Sequence, residues 1–315
     1  MSGLRVVFLG TPQFAVPTLQ RLLASRHSVV GVVTQPDRPS GRGQKTTDAP
    51  VKACALAANV PVLQPLVLTD PAFQSALTAL GADIGVVAAY GKILSETILG
   101  IPARGMINVH ASVLPRYRGA APIHRAVMNG ETQSGVTIMR VVKALDAGPM
   151  LSVITCPIGP DDTSDQVERE LARLGADLLV ETLDRMENGQ VPEVPQNDAD
   201  TTYAHRLTRE DGVVIWSKTA SEIHDQIRGL FPWPHAFSFL NGERVILWRS
   251  TPTASDTAAE PGTVLDSPAG ELHVATGHGS LSLTELQREG KRPTNARDFL
   301  SGFAARPGDR FSSQP

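Results

Sequence analysis

The segment Leu4-Arg-Val-Val-Phe-Leu-Gly-Thr-Pro12 decides the fold class. Leu4 to Leu9 is an apolar, β-branched run interrupted by one arginine, the pattern of a strand buried on both faces. Gly10-Thr-Pro12 ends it. Val16, Leu19, Leu22 and Leu23 then recur at helical spacing, with Pro17 in the first turn, where a missing N–H costs nothing. Val29 to Thr34 is a second buried strand. Strand, helix and strand within about 30 residues make a βαβ unit, with parallel pairing and a right-handed crossover. The turn is not a dinucleotide fingerprint. Gly10-Thr-Pro-Gln-Phe-Ala15 departs from G-x-G-x-x-G, and Pro12 removes an N–H that a pyrophosphate would need.

Outward from this unit, the pattern continues as α/β. A helix starting at Asp48 or Pro50 and running to Ala58, a short strand over 60–63 and a helix over 70–80 are expected. Ile84 to Ala89 is almost wholly apolar and belongs at the centre of a sheet. Tyr90-Gly-Lys-Ile-Leu-Ser95 leaves it in the zone beyond strand ends where α/β proteins hold ligands. Met106 to His110 is the next strand. A helix from Gly119 to Asn129, strands over 135–142 and 150–158, and a long amphipathic helix capped by Thr163 or Ser164 and running to Glu187 complete the first part. Residues 1–188 thus form one domain. Gly189 to Thr201 is polar and aperiodic, with Pro192 and Pro195, and 189–205 is expected as a linker. In 206–315, a strand over 213–216, a helix over 221–230 and short strands over 236–240, 244–248, 262–265, 272–275 and 281–286 suggest a small barrel, closed by a helix over 295–303.

The chemistry-bearing stretch is Asn108-Val-His-Ala-Ser-Val-Leu-Pro-Arg-Tyr-Arg-Gly119. Asn108 and His110 are two apart on a strand and share a face. An amide and an imidazole there suit oxyanion stabilisation and proton transfer; the same pair also serves to cap a turn, with Pro115 and Gly119 as punctuation. Asp146 sits between two strands in Leu145-Asp-Ala-Gly-Pro-Met150. It is either an Asx-turn carboxylate or the group that orients and charge-stabilises an imidazole. The polar loop Gln35 to Pro50 carries Arg38, Arg42 and Lys45, suited to a phosphate backbone or simply to solvent.

Composition bounds the rest. In 315 residues, 41% are hydrophobic and 19% charged, as in a globular chain that buries a core. A net charge of −3 supplies no global basic field, so any nucleic-acid contact must come from local patches. Cys54 and Cys156 lie outside any metal or redox spacing and read as buried thiols in a reducing compartment. No signal peptide or membrane-length apolar run is seen, so the expected location is the cytoplasm.

Taken in order, these pieces resemble the methionyl-tRNA formyltransferase family of folate-dependent formyltransferases from end to end. The resemblance rests on Gly10-Thr-Pro12, Gln35-Pro-Asp-Arg-Pro39 with Gly41-Arg-Gly43, Asn108-Val-His110, Ser112-Val-Leu-Pro115 with Arg116-Tyr-Arg-Gly-Ala-Ala-Pro-Ile123, Gly135-Val-Thr-Ile-Met139, Asp146-Ala-Gly148 and Pro232-Trp-Pro234. It implies formyl transfer from 10-formyltetrahydrofolate to the α-amino group of methionyl initiator tRNA, for translation initiation. It further implies a Rossmann-like parallel-sheet catalytic domain and an OB-like C-terminal tRNA-binding domain over 206–315.

By the same resemblance Asn108, His110 and Asp146 are catalytic. Ser112, Val113, Leu114, Pro115, Tyr90 and Leu94 line the folate site, and the protein is a monomer that needs no metal. Arg38, Arg42 and Lys45 of the loop, and Arg206 and Arg209 near the linker, are the expected tRNA contacts, with Arg288, Lys291, Arg292 and Arg297 as further basic candidates. The loop departs from the family at Gln44, Thr46 and Thr47, where a second lysine and an apolar tip are usual. A folate-dependent formyltransferase acting on a small amine is the nearest rival, a catalytically silent tRNA-binding module the next, and a dinucleotide oxidoreductase the third.

Overall fold

The computed structural model describes residues 3–37, 39–40, 45–253 and 257–314. The chain divides into two compact units: Met1–Pro122, Gln133–Cys156 and Glu168–Ala204 form the first, and Ile123–Thr132, Pro157–Val167 and His205–Pro315 the second.

The first unit is built on a seven-stranded sheet. Its strands in chain order are β1 (Arg5–Gly10), β2 (Ser28–Val33), β3 (Val62–Leu63), β4 (Ile84–Ala88), β5 (Met106–His110), β6 (Gln133–Arg140) and β7 (Met150–Pro157). Their spatial order is β7-β6-β5-β4-β1-β2-β3. β1, β2, β3, β4 and β5 pair in parallel, an arrangement in which strands buried on both faces are usual. β6 lies antiparallel to β5, with His110 opposite Thr137 and Asn108 opposite Met139. The strand order reverses between β1 and β4, where a doubly wound sheet leaves a crevice for ligands.

Helices α1 (Val16–Leu23), α2 (Pro50–Ala57) and α3 (Pro71–Ala79) follow β1, the polar loop and β3. Pro17, Pro50 and Pro71 all stand in first turns, and Asp70 caps α3 by accepting from the Ala72 N–H at 2.9 Å. Phe73 and Leu77 of α3 pack with Val7, Leu9 and Met106 on one face of the sheet. Beyond α4 (Pro122–Met128) comes α5 (Ser164–Glu187). A Cβ at Gly175 of α5 would sit 3.0 Å from Val109, so α5 covers the Val109 side of β5. Asn108 and His110 therefore point to the other face.

In the second unit, α6 (Ala220–Gly229) begins with a capping box between Thr219 and Glu222. Strands β8 (Ala236–Leu240), β9 (Glu243–Thr253), β10 (His273–Ala275), β11 (Ser280–Arg288) and β12 (Phe311–Ser312) form an antiparallel sheet in the order β10-β11-β9-β8-β12. Register breaks around Arg249 bend β9 and curl the sheet. Helix α7 (Ala296–Gly302) starts at an Asn295 cap. Two expected strands are absent. Residues 213–216 form a single bridge, Val213 to Phe237, because Trp216 instead turns its indole to Phe311 and donates to Ser238 Oγ at 2.9 Å. Residues 262–265 make only isolated bridges, Thr263 to Arg310 and Val264 to Val274, after Gly262 at φ +91°.

Candidate active site

β5 delivers Asn108 and His110 to one face, and two loops close over that face. The first is 111–119. Its backbone is pinned by Thr137 of β6, a fully buried residue whose hydroxyl donates to Ser112 O at 2.7 Å and accepts from the Leu114 N–H at 3.1 Å. Ser112 Oγ donates to Arg116 O at 2.6 Å. The second is 141–149, which carries Asp146.

His110 is 5% exposed. Its Nε2 lies 3.0 Å from Tyr117 O, and a carbonyl can only accept, so Nε2 carries a proton. In the neutral ring Nδ1 is then a bare lone pair. It faces Asp146 Oδ2 at 3.7 Å, too far for a hydrogen bond but close enough for ion pairing once Nδ1 is protonated. The same carboxylate oxygen accepts from the Gly119 N–H at 2.9 Å, which fixes its position. Among the described residues the Asn108 side-chain amide has no hydrogen-bond partner, and the residue is half-buried, so its amide is open to a ligand. The structure therefore brings Asn108, His110 and Asp146 together within the first unit: a neutral donor, an imidazole with one free nitrogen, and a carboxylate held beside it.

Both loops depend on residues of the wrong conformational type. Tyr117 has φ +60° and Asp146 φ +48°, the left-handed region that L side chains disfavour. The segment expected as a linker runs along both. Thr202 Oγ1 accepts from the Tyr117 N–H at 2.8 Å, and Tyr203–Ala204 pairs in parallel with Arg118–Gly119. Gln196 Nε2 donates to Asp146 O at 2.9 Å and Gly148 O at 2.7 Å. Gln196 Oε1 in turn accepts from the buried Arg118 Nε at 3.0 Å. Sequence reading quotes Arg118 and Thr137 within its motifs but gives them no role, and it passes over Gln196 and Thr202. None is chemically unusual, and 189–204 has no periodicity to betray a role.

The folate candidates fall into two groups. Ser112, Leu114, Tyr90 and Leu94 are buried, while Val113 and Pro115 are half-buried. Leu94 and Tyr90 pack in the cluster of Val7, Phe73 and Met106. The Tyr90 hydroxyl is buried without a partner among the described residues, and burial pushes its pKa up to about 12. The segment after β4 is tied to neighbouring loops: Gln35 Nε2 donates to Tyr90 O at 2.7 Å, and Lys92 Nζ donates to Pro65 O and Leu66 O at 3.1 and 3.0 Å. Ile93 next to it is 85% exposed.

Of the expected tRNA contacts, Arg38 and Arg42 lie outside the described residues, as does Gln44. Of Lys45 only the backbone is described, paired with Ser40. Arg206 and Arg209 belong to the second unit and are exposed. Arg288 is committed to Glu243 through a fork of contacts at 2.8 and 3.1 Å. Among the described residues there is no group of three His, Cys, Asp or Glu that could hold a metal ion. Nor is any described helix long and apolar enough to cross a membrane.

The two units coincide broadly with two family models: formyl transferase matches residues 4–183, and formyl transferase, C-terminal domain matches 206–304. That defines the class. Curated relatives narrow it. Methionyl-tRNA formyltransferase of Citrifermentans bemidjiense is 46% identical over 98% of this chain and 96% of its own length. That of Geobacter sulfurreducens is 44% identical over 99% and 98%. The chain belongs to the methionyl-tRNA formyltransferase family. Among solved structures, an N-formyltransferase from Helicobacter canadensis, in complex with folinic acid and dTDP-3-aminofucose, superposes with a TM-score of 0.69 at 20% identity, covering 90% of this chain and 99% of its own. Glycinamide ribonucleotide transformylase 1 from Symbiobacterium toebii gives 0.52 at 20% identity, over 61% and 95%. These two share the fold.

Proposed function

We propose that this protein transfers the formyl group of 10-formyltetrahydrofolate to the α-amino group of methionyl initiator tRNA, with Asn108, His110 and Asp146 as its catalytic groups. The observation that carries the reading is the bare Nδ1 of His110 beside the Asp146 carboxylate, in a chain of this family. The free α-amine attacks the formyl carbon, forming the new C–N bond and placing negative charge on the formyl oxygen. Asn108 donates a hydrogen bond to that oxygen. The amine loses a proton as it attacks, and Nδ1 of His110 takes it. The imidazolium then sits against Asp146. Collapse of the tetrahedral intermediate restores the carbonyl and breaks the bond to N10 of the folate, which leaves with a proton returned from His110. Tetrahydrofolate and formylmethionyl-tRNA are the products.

Folate binding is assigned to the backbone of 90–94 and to the 112–115 loop. Backbone groups of these segments that are not already paired within the chain suit a flat heterocycle with donors and acceptors along one edge. Arg38, Arg42, Lys45, Arg206 and Arg209 are assigned to tRNA phosphates. The protein acts as a monomer in the cytoplasm.

The test is formyl transfer from 10-formyltetrahydrofolate to charged initiator tRNA, with an elongator methionyl-tRNA, small amines and His110→Ala alongside. Transfer that prefers the initiator and needs His110 is expected. Transfer to small amines and to neither tRNA would overturn the acceptor. Arg206→Ala and Arg209→Ala should each weaken tRNA binding and flatten its salt dependence by about one charge; unchanged slopes would remove them.

A further inference from the structure

We propose that residues 194–204 are a positioning strap for the catalytic groups, with Gln196 setting the Asp146 carboxylate and Thr202 setting the carbonyl that orients His110. The proposal rests on the assignment of Asp146 and His110 above and extends it to residues that touch no substrate.

The two turns that carry catalytic geometry are the ones the strap holds. Tyr117 presents its carbonyl to His110 Nε2 from a left-handed backbone, and its N–H is met by Thr202 Oγ1. Asp146 presents its carboxylate from another, and its carbonyl is met by Gln196 Nε2. Non-glycine residues persist in that region only where their surroundings over-determine them. Gln196 is fully spent in doing so: both amide hydrogens go to Asp146 O and Gly148 O, and its oxygen takes Arg118 Nε. Arg118 reaches on to Asp198 Oδ1 at 2.9 Å, so the strap is anchored a second time to the loop that carries Tyr117. The strap is also tied to β7 by the reciprocal bonds of Met150 and Val194, at 2.8 and 2.9 Å. Tied at Val194, Gln196, Asp198, Thr202 and Tyr203–Ala204, the segment 194–204 is built against the site.

A side chain that acts through Asp146 leaves a signature that a merely structural one does not. Gln196→Ala should lower kcat about tenfold, with KM for the formyl donor and for charged tRNA within about twofold of wild type. In an Asp146→Asn background the same change should cost nothing further, because the group it positions has already gone. Gln196→Glu should be worse than Gln196→Ala, since a carboxylate would face the carbonyls of Asp146 and Gly148. Thr202→Val should lower kcat and Thr202→Ser should restore it, because serine keeps the oxygen that meets the Tyr117 N–H.

Asn197→Ala is the matched control. It removes only local bonds of the same strap, the one Asn197 Oδ1 accepts from the Ala199 N–H at 3.2 Å and the one Asn197 Nδ2 donates to Asp200 Oδ2 at 2.8 Å, and should keep wild-type kcat. Equal losses from Gln196→Ala in the wild-type and Asp146→Asn backgrounds would overturn the proposal, as would an Asn197→Ala loss as large as that of Gln196→Ala. Full activity in Gln196→Ala, with His110→Ala inactive, would sink the strap and leave the catalytic assignment standing. Full activity in His110→Ala would sink the assignment itself.

Discussion

Replacing Asp146 by asparagine isolates the charge that the site places beside His110. The side chains are isosteric, and an asparagine oxygen can keep the bond from the Gly119 N–H, now 2.9 Å long. What is lost is the negative charge 3.7 Å from Nδ1. Unit charges at that distance attract by about 4 kcal/mol at an effective dielectric of about 20. Asp146 is 16% exposed and His110 5%, so some of this is screened by water, and about 3 kcal/mol is a fair working value. In the proposed step the imidazolium forms as the proton moves, so the loss falls on the transition state and intermediate, and kcat should drop about a hundredfold. The assay is single-turnover formyl transfer at saturating donor and charged tRNA, with a thermal melt to show that the fold is kept. A variant that melts normally and retains kcat within about threefold of wild type would refute the reasoning, and with it the role given to Nδ1.

Asn108→Ala should lower kcat by about 10²–10³ with little change in KM, as expected for an oxyanion donor used mainly in the transition state; an equal rise in KM would mark Asn108 as a binding residue instead. On alkaline titration followed by tyrosinate absorbance, a phase near pH 12 is expected from Tyr90, and Tyr90→Phe should remove it; an unchanged curve would dismiss the buried environment assigned to it. Burial holds His27 below the ordinary histidine value, with Asp184 opposing, and its Nδ1 accepts from the Leu4 N–H at 3.1 Å. The unfolded chain therefore takes up a proton first as pH falls below about 6.5. Stability should decline from there down to the lowered folded value, by at most about 1.4 kcal/mol per pH unit. His27→Gln should flatten that part of the melting-temperature profile between pH 7 and 5, and parallel profiles would count against it.

The parallel sheet was legible because its strands are nearly pure apolar runs, and such runs admit few alternatives: Val6 to Leu9, Val32, Val33 and Ile84 are all buried without residue. Asn108 and His110 could be placed on one face from their spacing alone, since a strand alternates strictly. The antiparallel entry of β6 was not legible, because an apolar run carries no sign of its direction. Trp216 was misread as strand because apolar content was taken for pairing, when its indole serves a contact with Phe311 and Ser238 instead. Gln196 and Thr202 were invisible for a different reason. Their work is to meet backbone groups of Asp146, Gly148 and Tyr117, and neither hydrophobic period nor residue type records which distant carbonyl an amide will find.

The ties of 194–204 bear on how this chain can be divided. The two family models leave 184–205 to neither, which invites a cut at the end of α5. A fragment ending at 188 would keep Asn108, His110 and Asp146 yet discard the partners that Gln196, Thr202 and Tyr203–Ala204 supply to the two left-handed turns beside them. The second unit is no more separable, since Ile123–Thr132 and Pro157–Val167 are lent to it from the middle of the chain. Fragment exchange between relatives, truncation for crystallisation and split-protein schemes should therefore keep residue 204 with the N-terminal piece. They should also treat the two interior segments as part of whatever C-terminal half is grafted on.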